Sequence, residues 1–354
     1  MQSARLPVTF LFALGLVLPA MQAAAQTVPL LPAISSPDAQ QDGPQDTPGK
    51  HSLQAHVADL FAHADYDEID RIADKIRLDK TRLAGGGWQI TRVYSGLEAR
   101  DGVLEEDHIA QLKAWIAARP QSVTPHVALA EAYIHFAWMA RGNGTADKVT
   151  DEGWRLFAAR ITEAKRTLDE SANLTPMCPG WFSAMMTVGL AQDWDKPRMA
   201  ALFDQASKFE PEYFHFYQSY AHYLLPKWDG NQGDDAAFAK RSADALGGQQ
   251  GDFLYYQIAI IALGLSNGKV DTDHFDWARI QRGYQAQGQL YANTNYDTNR
   301  IALMAWRYRD VAAARSYFAQ INQKWDKQVW KTRERFDKTR DWAMEDHSSV
   351  ATSP

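Results

Sequence analysis

The stretch Tyr66-Asp67-Glu68-Ile69-Asp70-Arg71-Ile72 decides the fold. An aromatic ring is followed by apolar side chains three and six positions on, which is the spacing of one helix face. The same spacing returns as Trp194–Pro197–Ala200 and as Tyr308–Val311–Ala314. Leu174-Thr175-Pro176 and Phe209-Glu210-Pro211 place proline where intervening helices must end, because proline lacks the amide and pushes the preceding residue out of helical geometry. A short unit of this kind cannot cover its own apolar face and must stack on its neighbours. The expectation is an all-α chain, an irregular α-solenoid of helix hairpins; the uneven spacing of Pro120, Pro176 and Pro211 argues against a regular superhelix.

Upstream, Leu53, Val57, Leu60, Phe61 and Ala64 mark a first helix, and Ile69, Ile72, Ala73 and Ile76 its partner. Gly85-Gly86-Gly87 ends that pair, and Trp88 to Leu97 reads as extended chain laid across the helices. Further helices are expected over 105–119, 125–141 and 151–173. Pairs follow at 178–191 with 196–209, 212–225 with 234–246, 252–266 with 274–288, and 291–307 with 310–322. The run Phe253 to Leu265 is too short to cross a bilayer and reads as a central buried helix. No βαβ rhythm is present.

Residues 1–25 have the layout of a secretory signal: Arg5, an apolar run from Leu6 to Leu18, and Ala23-Ala24-Ala25 as a cleavage site. A periplasmic or secreted location is expected. Residues 26–50, rich in Pro, Gln, Asp and Ser, read as a disordered linker to a helical-repeat domain at 51–322. Residues 323–345 read as a C-terminal capping helix and 346–354 as a disordered tail. Lys327, Lys331, Arg335 and Lys338 alternate there with Trp330, Phe336 and Trp342. That pattern suits a polar cap on the last repeat, or a basic amphipathic helix making peripheral membrane contact.

A net charge of −6 argues against general nucleic-acid binding. The single Cys178 excludes an internal disulfide, and its flanks, Met177 and Pro179-Gly180-Trp181, suggest a packed thiol at a helix start. His215 and His222 share a face seven residues apart, a poor spacing for metal, so they read as exposed or hydrogen-bonded histidines. Glu131, in an otherwise apolar helix with Arg141 ten residues on, suggests a buried ion pair or hydrogen bond within the stack rather than an acid catalyst. Ser266-Asn267-Gly268-Lys269 matches Ser-x-x-Lys only formally, since Asn-Gly marks a turn. The usual hydrolase, zinc and phosphate-loop signatures are missing, and no cofactor or metal is expected.

The most distinctive loop is Pro226-Lys227-Trp228-Asp229-Gly230-Asn231-Gln232-Gly233-Asp234, echoed at Gly248-Gln249-Gln250-Gly251-Asp252. Both sit before a helix and have a sufficient explanation as turns. The functional alternative is that Trp228 stacks on a ligand, or that Asp229 and Asp234 hold a cation. With Gly87-Trp88, Ala140-Arg141-Gly142 and Pro179-Gly180-Trp181, this loop resembles an uncharacterised bacterial family with a tetratricopeptide-like domain of unknown function, over about residues 53–322. The resemblance implies a helical-repeat fold of tetratricopeptide-like hairpins and no assigned reaction. It makes Trp228, Asp229, Gly230, Gly233, Asp234 and Arg141 the candidate binding residues. The expected function is a non-enzymatic scaffold that takes a protein or peptide partner on an aromatic-rich surface. The alternatives are a cell-envelope glycan-binding module and an enzyme whose site is dispersed along the chain.

Overall fold

The computed structural model describes residues 52–100, 102–142, 144–265 and 274–345. The expected signal, the linker, the tail and the Ser266–Lys269 match lie outside the described residues. In chain order the helices are α1 (Leu53–Ala62), α2 (Tyr66–Asp79), α3 (Ile90–Gly96), α4 (Glu105–Ala118), α5 (Val123–Arg141), α6 (Asp151–Ser171), α7 (Pro179–Ala191) and α8 (Lys196–Phe209). They continue as α9 (Phe214–Tyr223), α10 (Asp234–Leu246), α11 (Gly248–Leu265), α12 (Trp277–Tyr291), α13 (Asn295–Arg307), α14 (Val311–Ile321), α15 (Lys327–Trp330) and α16 (Arg333–Met344). Among the described residues there is no strand, only an isolated antiparallel bridge between Arg82 and Trp88. The fold is an all-α stack of helix hairpins.

Local chemistry sets the helix starts. Ser52, Asp65, Thr150, Asp195, Asp276 and Asp310 each accept a first-turn amide with the side chain, and Thr294 forms a reciprocal box with Asp297. Pro179 and Pro197 occupy first-turn positions where no amide partner is lost. Sequential helices then pack as α4 on α5, α5 on α6, α7 on α8, α10 on α11, α11 on α12 and α13 on α14. Large rings interlock the layers: Tyr66 stacks on Trp115 at 5.1 Å between α2 and α4, and Phe182 meets Phe216 edge-on at 5.7 Å between α7 and α9.

Four expectations change. Trp88 to Leu97 is not extended: Ile90, Val93, Tyr94 and Leu97 are all buried at helical spacing, and α3 lies against α1. Helix α11 begins at Gly248, so the Gly248–Asp252 echo is its first turn and not a linker; a Cβ on Gly251 would stand 2.2 Å from the Ala243 carbonyl oxygen. Of the two readings of the α9 histidines, the hydrogen-bonded one holds and the exposed one does not: His215 Nδ1 meets Gln218 Oε1 at 3.2 Å, His222 Nε2 accepts from Trp228, and both are buried because α9 packs against α7, α8, α10 and α11. Finally, the basic C-terminal segment is two helices, broken at Lys331 with φ +67°. The segment folds back: Trp330 and Phe336 close on Phe318 of α14, and Arg315 donates to the carbonyls of Ala343 and Glu345.

Segments far apart in sequence meet at the Ala84–Gly86 turn, which presses into α11 and α12. Gly85 donates its amide to the Ala292 carbonyl at 2.9 Å, and Arg82 lies over Trp88 at 4.0 Å while donating to Glu212 at 2.9 Å.

Candidate functional site

The Pro226–Asp234 loop curls back onto the end of α9. Trp228 and Gly230 donate their amides to Leu225, and Asp229 donates to Tyr223. The Trp228 ring is half-buried, stands edge-on to His222, and donates its Nε1–H to His222 Nε2 at 3.0 Å. Asp229 Oδ2 accepts the Tyr223 hydroxyl at 2.6 Å, and that hydroxyl also reaches the Trp194 carbonyl at 2.7 Å. Asp234 accepts the Asn231 amide at 2.8 Å and pairs with Lys196 at 3.6 Å. These backbone and side-chain bonds hold its carboxyl below the usual carboxylate range. Gly233, with φ +81°, lies against the His274 ring.

The loop's polar atoms are therefore spent on the loop and its neighbours, which accounts for it as a clasp between α9 and α10. Burial gives this clasp a charge signature: it lowers Lys227 to about 8, and burial followed by the Lys227 charge lowers His222 to about 3. Trp228→Phe keeps a ring but strands the His222 acceptor. It should lower the unfolding free energy by about 1–3 kcal/mol in urea titrations. An unchanged midpoint would contradict the clasp.

Arg141 is not part of this constellation. Its Nη1 donates to the Gly142 and Gly144 carbonyls, both at 3.2 Å, and its guanidinium sits between Trp138 and Trp154 at 5.5 and 5.4 Å. Instead of the expected pair with Glu131, it fastens the turn that follows α5. The rings expected to make an aromatic-rich binding surface are largely inside, in the contacts between helices.

A cleft of about 330 Å³ opens elsewhere, between α2, the α4–α5 turn and the segment before α7. Its lining includes Asp70, Asp74, Arg119, Gln121, Ser122 and Pro176. Asp70 and Asp74 are one helical turn apart on α2. Asp70 accepts the Ser122 hydroxyl at 2.5 Å and the Trp115 Nε1–H at 3.5 Å. Burial raises its pKa above the usual carboxylate range, opposed by those two bonds and assisted by Asp74. Asp74 is exposed and pairs with Arg77 at 2.6 Å; Arg119, on the rim, pairs with Asp67. One turn beyond Asp74, Leu78 is 82 % exposed, the most exposed large apolar residue described.

No sequence signal marks this cleft, since its residues come from three separated segments. Asp70 and Asp74 were legible only as polar positions of an amphipathic helix. Among the described residues no group of three or more histidine, cysteine or carboxylate side chains is arranged to hold a metal ion.

Residues 53–203 match the model of a family described as a domain of unknown function, DUF4034. The matched stretch contains the cleft, Gly87-Trp88, Ala140-Arg141-Gly142 and Pro179-Gly180-Trp181, whereas the Pro226–Asp234 loop lies beyond it. No curated protein and no solved structure matches the chain.

Proposed function

We propose that the protein is an exported, non-enzymatic interaction scaffold, and that its cleft over Asp70 and Asp74 receives a short peptide segment carrying a lysine, an arginine or a free amine. The observation that carries this reading is the cleft itself. It has the volume of a small-ligand site, an exposed carboxylate at Asp74, a second carboxylate at its inner wall, and amide and hydroxyl groups at Gln121 and Ser122. Exposed Leu78, one helical turn beyond Asp74 on α2, offers an apolar anchor near the charge, a combination that suits peptide side chains. The stacked hairpins supply a rigid frame, which lowers the ordering cost of binding. The secretory-signal layout read in the sequence of residues 1–25 supports a partner in the periplasm or outside the cell.

A sugar would find no aromatic ring in this lining to stack on, which weighs against the glycan reading. The paired acids are the feature that favours the enzyme reading, yet both oxygens of Asp70 are already engaged.

The test is selection of a random heptapeptide library on the full chain, followed by affinity measurement with Asp74→Asn. Selected peptides should share a basic residue, and the substitution should weaken them about fivefold or more. Peptides without a basic residue, or an affinity indifferent to Asp74, would contradict the proposal.

A further inference from the structure

The folded-back C-terminal helices carry a charge pattern that neither the cap nor the cleft explains. Residues 301–345 hold ten lysines and arginines against six aspartates and glutamates, in a chain whose net charge is −6, so the remainder carries −10. On α16 these charges divide by helical register around a buried stripe of Phe336, Thr339 and Ala343. To one side of the stripe, Arg333 and Arg340 pair with Asp337 at 2.9 and 3.0 Å, and Arg340 also pairs with Asp341. To the other side, Arg335, Lys338 and Trp342 follow one another at i, i+3 and i+7. Neither cation there pairs with a carboxylate among the described residues, although Glu334 stands one turn before Lys338.

The turn between α13 and α14 extends this side. Exposed Arg309 lies between the half-buried rings of Trp306 and Trp342, at 5.6 and 5.8 Å from their centres. Its neighbour Asp310 is occupied, accepting the Trp277 Nε1–H and the Ala313 amide, and Arg309 has no acidic partner among the described residues. Arg315 fixes the end of α16 through the Ala343 and Glu345 carbonyls, which holds Trp342 in place against Arg309. Half-buried Arg307 donates to the Leu263 carbonyl at 2.8 Å; burial, then the Arg335 charge, lowers it to about 10. Elsewhere the chain neutralises such groups: Lys75, Lys165, Lys208 and Lys240 each meet an aspartate one turn away. Cations left without counter-ions beside half-exposed indoles suit a partner that supplies anions and an apolar layer together.

We infer that this side of the C-terminal cap docks on an anionic phospholipid surface. Arg309, Arg335 and Lys338 meet headgroup phosphates, for which the planar guanidinium fork is well shaped. Trp306 and Trp342 sit at headgroup level, where an indole keeps its apolar body in lipid and its N–H near water. An acidic peptide would supply the charge without a layer for the rings. Helix α16 thus covers the last repeat with one stripe and offers lipid a different side. The contact is peripheral: among the described residues no helix is long and apolar enough to cross a membrane. Each cation held near an anionic bilayer strengthens binding about fivefold, and salt screens the effect.

The experiment is co-sedimentation of the full chain with vesicles of phosphatidylcholine alone and of phosphatidylcholine mixed with phosphatidylglycerol. The ratio of the two affinities is the quantity read, because an apolar segment elsewhere in the chain binds both alike. The mixed vesicles should bind about tenfold tighter or more, and Arg335→Gln with Lys338→Gln should lower the ratio about tenfold. Lys208→Gln with Lys240→Gln removes the same charge from α8 and α10 and should leave the ratio unchanged. All four positions face solvent at least in part, so the circular dichroism of both double variants should match the parent's. Immobilised polyglutamate serves as the acidic-protein arm and should bind more weakly than the mixed vesicles. Equal affinity for the two vesicles, equal losses in the two double variants, or polyglutamate binding as tight as the mixed vesicles would overturn the inference.

Discussion

Replacing Gly230 by alanine should cost about 3 kcal/mol or more, the largest loss expected from any single methyl added to the clasp. A Cβ at this position would stand 1.7 Å from the Leu224 carbonyl oxygen and 2.2 Å from its carbon. Those atoms belong to backbone at the end of α9, so no side-chain rotation relieves the overlap. The loop must withdraw, and it then loses the Tyr223–Asp229 and Trp228–His222 bonds together. Gly264 supplies the control: it is exposed on α11 with nothing within 4 Å of a built Cβ. Gly264→Ala should be neutral or stabilise by up to about 1 kcal/mol, because alanine loses less backbone entropy in a helix. Urea midpoints of the two variants should therefore move in opposite senses. Equal midpoints would mean that the loop does not press on α9.

Acidification should unfold the protein through α9. Burial lowers His215 to about 4 and His222 to about 3, against an ordinary histidine value of 6.5. A folded value below the unfolded one means that the unfolded chain takes up protons first. The stability these residues support is complete above pH 6.5 and is lost as pH falls from there toward their folded values. Each contributes about 1.4 kcal/mol per pH unit, so at pH 5 the two together remove about 4 kcal/mol. That is a large part of the 5–15 kcal/mol typical of a folded domain. Asp70 and Asp235, both raised chiefly by burial, act with the opposite sign and stabilise toward acid. The net result should be a falling urea midpoint between pH 6.5 and 5, which His222→Gln makes shallower because an amide oxygen replaces the imidazole acceptor for Trp228. A flat midpoint over that range would show that α9 is not closed to water.

The helices were legible because each pairs an apolar stripe with a start or stop signal. Pro120 and Pro211 follow the ends of α4 and α8 as expected, whereas α6 stops at Ser171, five residues before Pro176; α5, α6, α8 and α10 begin and end within two residues of the sequence reading. Failures occurred where local and tertiary cues diverge. Gly85-Gly86-Gly87 made the following chain look irregular, yet burial against α1 and α2 turns Ile90–Gly96 into a helix. Lys331 carries no helix-breaking chemistry; its φ of +67° lets Trp330 and Phe336 both reach Phe318. The loop at Trp228 was conspicuous for its rare residue types, but sequence could not reveal that His222 and Tyr223 consume its polar atoms.

The cleft was illegible for a different reason. Asp70, Ser122 and Pro176 are ordinary residues until the stack brings them together. Periodicity reports which face of a helix is buried, not which distant side chain it meets there.

The central claim, that recognition occurs at the cleft over α2, is tested most directly by amide hydrogen exchange of the full chain with and without a selected basic heptapeptide. Protection should appear over Tyr66–Asp79, the 118–123 turn and the 174–177 segment, and should vanish with Asp74→Asn. Protection confined to the Pro226–Asp234 loop, with α2 unchanged, would contradict it.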